Sequence, residues 1–62
     1  MVNKLKDRRE AKNLSQSKLS EISGVSRPTI IKLEKGEEAD LRTSTLVKLA
    51  DALGTTVSDI FF

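Results

Sequence analysis

Residues 15–36 read SQSKLSEISGVSRPTIIKLEKG and contain the signals from which the fold can be inferred. Ser15 suits a helix N-cap, because a serine hydroxyl can accept a hydrogen bond from the first turn of a helix. Gly24 comes after eight further residues, and glycine readily adopts the left-handed conformation that ends many helices. The same order of serine and glycine recurs over residues 26–36. We therefore expect two short helices, the second at 27–35, joined by a tight turn.

The rest of the chain also has helical patterning, and no stretch alternates apolar and polar residues as a strand would. Asn3 is the expected N-cap of the first helix, and Asn13 is the expected left-handed residue behind it. The predicted helices are, in chain order, about 3–12, 16–23, 27–35, 43 or 44–53, and a last short helix that Thr56 opens with a Thr56-x-x-Asp59 capping box. These signals predict an all-α fold of five short helices in a single domain, residues 1–62.

Apolar residues at helical spacing predict the core. Leu19 and Ile22 are three residues apart and are expected on one buried face of the second helix. Val25 is expected to fill the gap between the two central helices. The other expected core positions are Ile30, Leu33, Leu46, Leu49, Ala50, Leu53, Val57, Ile60 and Phe61.

The composition restricts the function. The chain has 62 residues and contains no Cys, His, Trp or Tyr. This inventory removes disulfides, most zinc chemistry and the usual general base near neutral pH. We therefore predict a protein that is not an enzyme and needs neither metal nor cofactor. No apolar run approaches the roughly 20 residues of a transmembrane helix, and the N-terminus has no hydrophobic signal region. A cytoplasmic protein without a membrane partner is expected.

The charge is unevenly distributed along the chain. Residues 1–35 carry nine Lys or Arg and four Asp or Glu, whereas residues 36–62 carry two and five. The overall charge of +2 therefore combines a basic half of +5 with an acidic half of −3. Such a division favours one face that binds an anion, of which nucleic acid is the leading candidate. The alternative is an ordinary charged surface on a small domain.

Helical geometry sorts residues 27–35 into two faces at about 100° per residue. Ile30, Leu33 and Glu34 fall on the inward side. The outward arc holds Arg27, Pro28, Ile31, Lys32 and Lys35. A helix-turn-helix places such an arc in the DNA major groove, and the alternative is a solvated basic face with two stray apolar residues.

Each residue of the outward arc suits a part of the DNA. Arg27 can bind guanine O6 and N7 together, and Lys32 can reach a base or a phosphate. Pro28 and Ile31 can contact thymine methyl groups. Lys35 is placed for a phosphate.

Three further residues need a role. Gln16 begins the second helix, where free N–H groups favour a phosphate, so its amide is a candidate clamp as well as an ordinary helix-starting residue. A lone inward carboxylate at Glu34 would be unfavourable. Arg9 is its best partner, because a guanidinium binds a carboxylate through two parallel hydrogen bonds. We interpret this pair as a structural salt bridge between the first and third helices.

The chain resembles the DNA-binding domain of lambda-repressor-like, Cro/XRE-type helix-turn-helix regulators over about residues 5–61. The resemblance rests on Arg9 and on the motifs Leu14-Ser15-Gln16-x-x-Leu19-Ser20, Gly24-Val25-Ser26-x-x-x-Ile30-x-x-Leu33-Glu34-x-Gly36 and Leu46-x-x-Leu49-Ala50-x-x-Leu53-Gly54. It implies that Gln16, Arg27, Pro28, Thr29 and Lys32 face DNA and that Arg9 pairs with Glu34. It also implies dimers on two half-sites. Ile31 and the acidic residues 37–40 depart from the family pattern, which leaves Arg42 as the loop's candidate phosphate contact.

These observations predict a sequence-specific repressor that binds a palindromic double-stranded operator as a homodimer. The expected DNA-binding residues are Gln16, Ser26, Arg27, Pro28, Thr29, Ile31, Lys32 and Lys35. The expected dimer interface consists of Ile60, Phe61 and Phe62, together with the loop before the fourth helix. The alternative function is a protein-interaction module of the same fold, such as an antitoxin-like component, in which Pro28, Ile31 and the acidic loop bind a partner protein.

Overall fold

A computed structural model of the chain describes residues 3–37 and 42–61. The five helices are α1 (Leu5–Ala11), α2 (Gln16–Ser23), α3 (Arg27–Glu34), α4 (Thr43–Ala52) and α5 (Val57–Phe61). No strand occurs within the described ranges, and none of their helices has the length and apolar character needed to cross a membrane. The all-α, five-helix prediction is confirmed. Most of the acidic loop, residues 38–40, and Phe62 lie outside the described residues.

Helix α2 begins and ends, and α1 ends, at the residues expected from local chemistry. The Ser15 hydroxyl accepts a hydrogen bond from the backbone N–H of Lys18 at 3.0 Å and so caps α2. Gly24 ends α2 in the left-handed conformation, with φ of 77°. Asn13, which follows α1, has φ of 57°, a region that asparagine tolerates better than most residues. Ser15 and Gly24 therefore fix the length of α2, and Asn13 marks the end of α1.

Helix α1 starts later than the sequence predicts, because Asn3 acts from outside the helix. Its Oδ1 accepts the N–H of Leu5 at 2.9 Å, and its Nδ2 donates to the carbonyl of Leu33 at 2.7 Å. The neighbouring N–H of Lys4 donates to the carbonyl of Ile60 at 2.8 Å. The segment before α1 is therefore tied to both α3 and α5.

The start of α3 corrects a second expectation. Ser26 occupies the N-cap position with extended backbone, but its side chain makes no capping hydrogen bond. Its hydroxyl instead lies 2.7 Å from the Thr29 hydroxyl, and either oxygen can be the donor. The two hydroxyls satisfy each other on the exposed end of α3.

Two threonines and a carboxylate hold the start of α5. Thr56 Oγ1 accepts the N–H of Asp59 at 3.1 Å, and Thr55 Oγ1 donates to Asp59 Oδ2 at 2.8 Å. The hydrogen bond from Thr55, followed by that from Thr56, lowers the pKa of the Asp59 carboxyl below its usual value. This start explains how a helix of only five residues is held in place.

All five helices contribute to one core. Its buried residues are Leu5, Leu19, Val25, Ile30, Leu33, Leu49, Ala50, Leu53, Ile60 and Phe61, with Leu14, Leu46, Ala52 and Val57 packed at its edge. Leu19, Ile30, Leu33 and Leu49 have no measurable exposure. The inward face of α3 is therefore buried against the rest of the domain, which fixes how its opposite face is presented.

One expectation about apolar residues is not met. Ile22 is 47% exposed, because three residues turn the helix by about 300°, and the face of α2 that packs on its neighbours is narrow enough to bury only Leu19. Ile60 and Phe61 are 1% and 5% exposed within their own chain. Their side chains complete the core of the monomer, as expected, and have little surface left for the dimer interface that was also predicted for them, which stays a prediction.

Candidate nucleic-acid interface

The turn between α2 and α3 is held by two serine hydroxyls and one buried valine. Ser20 Oγ donates to the carbonyl of Val25 at 2.7 Å, and Ser23 Oγ accepts the N–H of Val25 at 3.1 Å. The Val25 side chain is buried between the helices. In the sequence Ser20 stood out only as part of the family motif, and its hydrogen bond was not foreseen, because it depends on the position of a carbonyl across the turn.

Helix α3 exposes its basic residues on the side away from the core. Arg27, Pro28, Lys32 and the adjoining Lys35 are exposed, whereas Thr29 and Ile31 are half-buried. Within the described part of the chain, the side chains of Arg27, Lys32 and Lys35 have no ion-pair partner. Three uncompensated positive charges therefore line one exposed surface, which we call the α3 surface and define as residues 26–29, 31, 32 and 35.

A salt bridge lies directly behind the α3 surface. Arg9 Nε lies 2.7 Å from Glu34 Oε2, and Arg9 Nη2 lies 3.2 Å from Glu34 Oε1. Arg9 Nη1 also donates to the carbonyl of Leu14 at 2.6 Å. The hydrogen bonds to Glu34 raise the pKa of the Arg9 guanidinium. This one side chain therefore joins α1, the connection before α2, and the end of α3.

Gln16 is bound to the same carboxylate. Its Nε2 donates to Glu34 Oε1 at 3.1 Å, a contact that links the start of α2 to the end of α3. An amide nitrogen carries two hydrogens, so one remains for another acceptor. The phosphate contact expected of Gln16 stays a prediction, and the hydrogen bond to Glu34 was not foreseen because spacing alone cannot show which helices meet.

A cleft of about 340 Å³ opens where these elements meet. Gln16, Ile31 and Lys35 bring three of the expected DNA-binding residues to it, and the Arg9–Glu34 salt bridge also lines it. The sixth lining residue is Lys6 of α1, which sequence reasoning did not single out because it lies outside the helix-turn-helix. Of the other expected contacts, Ser26, Arg27, Pro28 and Thr29 lie at the opposite end of α3, and Lys32 follows in the second half of the helix. No group of acidic, His or Cys residues that could hold a metal occurs among the residues described.

Comparisons with known proteins agree with this geometry. The sequence profile of the helix-turn-helix family HTH_3 matches residues 5–60. A relative from Methanocaldococcus jannaschii, named as an uncharacterized HTH-type transcriptional regulator, is 44% identical over 61 residues, covering 98% of this chain and 91% of the relative. The solved structure of apo-HppE matches with a TM-score of 0.76 at 33% identity, over 89% of this chain and 30% of that chain. The chain therefore belongs to the HTH_3 family of Cro/XRE-type helix-turn-helix proteins, as the resemblance of its sequence implied.

Proposed function

We propose that the chain is a cytoplasmic transcriptional repressor that binds palindromic double-stranded DNA as a homodimer, without catalysis, with α3 in the major groove. The family and the relative support a DNA-binding regulator. The observation that carries the proposal is the α3 surface, where Arg27, Lys32 and Lys35 are exposed without ion-pair partners in the described residues. Burial of Ile30 and Leu33 on the opposite side holds that surface in a fixed orientation.

The position of each residue on α3 supports a division of roles. Arg27, at the first turn, is assigned to guanine O6 and N7, and Lys32 to a base or a phosphate one turn later. Pro28 and Ile31 are assigned to thymine methyl groups. Lys35, which follows the last helical residue, is assigned to a phosphate and contributes affinity without sequence preference.

Residues at the start of α3 and at the start of α2 complete the proposed contact set. The Ser26 and Thr29 hydroxyls bond each other and still have lone pairs and one hydrogen for a phosphate or base edge. Gln16 offers the second hydrogen of its amide to a phosphate. We place no DNA contact on the acidic residues 38–40.

The homodimer is supported by the family resemblance and by the small size of the chain. Ile60 and Phe61 are buried in the core of each monomer, so they offer this interface little surface. Sedimentation at micromolar concentration, with and without the selected duplex, tests this part of the proposal. Monomers in both conditions would contradict it.

Selection of bound duplexes from a random pool tests the function directly. We expect a repeated half-site, with half-site centres one helical turn or a multiple of it apart. Arg27→Ala should relax the preference at one base position and weaken binding by about 1–3 kcal/mol, whereas Lys35→Ala should weaken all duplexes alike. An unchanged ranking of sites with Arg27→Ala would remove Arg27 as a base reader.

Failure to select any preferred duplex would instead favour the protein-interaction module. The exposed Pro28 and half-buried Ile31 are the apolar residues on the α3 surface that such a module would use. Their replacement by polar residues would then leave nucleic-acid binding unaffected.

A further inference from the structure

The cleft beside the end of α3 is lined by more positive than negative charge. Arg9 and Glu34 neutralise each other across two hydrogen bonds in its floor. Lys6 and Lys35 enter from α1 and from the end of α3. Neither lysine has an ion-pair partner among the described residues. The lining therefore carries two uncompensated positive charges around one concave space.

Gln16 adds a directed donor to that space. The Gln16 amide lines the cleft, and its Nε2 already gives one hydrogen to Glu34 Oε1 at 3.1 Å. Glu34 is in turn held by Arg9, so the orientation of the amide is fixed from behind. A carboxylate can only accept hydrogen bonds, so the end of the Gln16 amide that faces Glu34 is the nitrogen. The second hydrogen of this nitrogen remains available.

We propose that this cleft takes one phosphate of the DNA backbone and that Lys6 of α1 is a contact for it, together with Lys35 and Gln16. The inference rests on the proposed function, since it assumes that the α3 surface meets DNA. It extends the DNA-binding surface from the helix-turn-helix to α1. A phosphodiester fits because it is a compact anion with several acceptor oxygens, and the cleft offers two ammonium groups and an amide N–H.

Counterion release provides the test for Lys6. Each phosphate that a protein neutralises changes the slope of log affinity against log salt by about 0.9. Lys6→Ala in the full chain should therefore bind the selected duplex more weakly, with a slope shallower by about 0.9. Between 50 and 200 mM salt, the ratio of wild-type to variant affinity should fall about 3.5-fold, which is a fourfold change in salt raised to about the power 0.9.

Lys12→Ala is the matched control. Lys12 is also exposed and follows the same helix, but its Nζ lies beside Gly54 at the end of α4 and does not line the cleft. Its slope should equal that of the wild type. Thermal unfolding checks that both variants remain folded. If Lys6→Ala does not fold, Lys6→Gln replaces it, because glutamine keeps the first two methylene groups of the stem and removes the charge.

A duplex series identifies the phosphate. Single phosphates of the selected duplex are replaced in turn by neutral methylphosphonates. One position should weaken the wild type and the Lys12 variant more than the Lys6 variant, because the Lys6 variant has already lost one of the contacts to that phosphate. Lys35→Ala should show a reduced effect at the same position.

The outcomes separate this inference from the proposed function. If Arg27→Ala changes the ranking of sites but Lys6→Ala and Lys12→Ala have equal slopes, the cleft inference fails and the function stands. If no duplex is preferred, both fail. The same lining chemistry would also suit a small phosphorylated ligand. Titration of the free protein with inorganic pyrophosphate at constant ionic strength tests for such binding. Binding of pyrophosphate that depends on Lys6, with an unchanged DNA slope, would assign the cleft to a small phosphorylated ligand and overturn the proposal.

Discussion

Replacing Glu34 by alanine should destabilise the domain more than any exposed charge change, because three side-chain hydrogen bonds end on this carboxylate. Two come from Arg9 and one from Gln16. The Glu34 side chain is 5% exposed and that of Arg9 is 11% exposed. The substitution leaves the guanidinium in place, with the carbonyl of Leu14 as its remaining partner.

The expected loss can be worked from this geometry. Removing one partner of a buried ion pair costs about 3–5 kcal/mol. The Leu14 carbonyl and the slight exposure of Arg9 partly solvate the remaining charge, so we expect a value near the lower end, about 3 kcal/mol. A chain of this length has a total stability of about 3–9 kcal/mol. The melting temperature should therefore fall by about 12–24 °C.

Urea denaturation followed by circular dichroism measures the change, with Glu21→Ala as the control. Glu21→Ala also removes a carboxylate from a helix. The Glu21 side chain, however, is 72% exposed, and its Oε1 lies 3.7 Å from Lys18 Nζ. Its loss should stay within about 0.5 kcal/mol. A Glu34 variant within that same range would refute the reasoning that the buried pair holds α3.

The double variant Arg9→Met with Glu34→Ala tests whether the unpaired charge causes the loss. With both charges removed, we expect a destabilisation smaller than the sum of the single variants by about 0.5–3 kcal/mol. The remaining cost comes from the Leu14 carbonyl, which loses its donor. Strict additivity would mean that Arg9 and Glu34 act independently.

Three further predictions concern single positions. Ser15→Ala should lower the free energy of unfolding by about 1 kcal/mol, because it removes the cap of α2. Ser26→Ala should change that free energy by less than about 0.5 kcal/mol, because the Ser26 hydroxyl caps no backbone N–H. Equal losses for the two variants in denaturation would contradict this. Gly24→Ala should cost about 1–2 kcal/mol from its φ of 77° alone, because a Cβ there meets open space, and Gly24→Asn should cost less. The pKa of Asp59 is lowered in the folded state, so its carboxylate stabilises the fold above the usual Asp pKa of about 3.9, and this stabilisation is lost as the pH falls through the folded-state pKa. Asp59→Asn should therefore flatten the fall in stability at acid pH. An unchanged pH dependence of stability would refute this prediction.

Sequence reasoning succeeded where the deciding interaction is local. Ser15 and Gly24 act on backbone groups within a few residues, so their types and spacing are enough to fix the limits of α2. The inward position of Ile30 and Leu33 also follows from helical periodicity alone.

Sequence reasoning failed where the position of a side chain depends on which helices pack against each other. Ile22 is exposed because α2 has too narrow a packed face, which periodicity cannot show. Phe61 was expected both in the core and at a dimer interface, and no local signal decides between the two; the structure buries it in the core. The contact of Gln16 with Glu34, and the approach of Lys6 to the same cleft, depend on the arrangement of three helices.

The segment before α1 has a consequence for the order in which the molecule is made. The N–H of Lys4 needs the carbonyl of Ile60, and the Asn3 amide needs the carbonyl of Leu33 at the end of α3. During translation at about 5–20 residues per second, residue 4 therefore waits several seconds before its partner exists. A chain that stops short of α5 lacks both the Lys4 tie and two core side chains, Ile60 and Phe61. Incomplete products should consequently be poor competitors for whatever the finished domain binds.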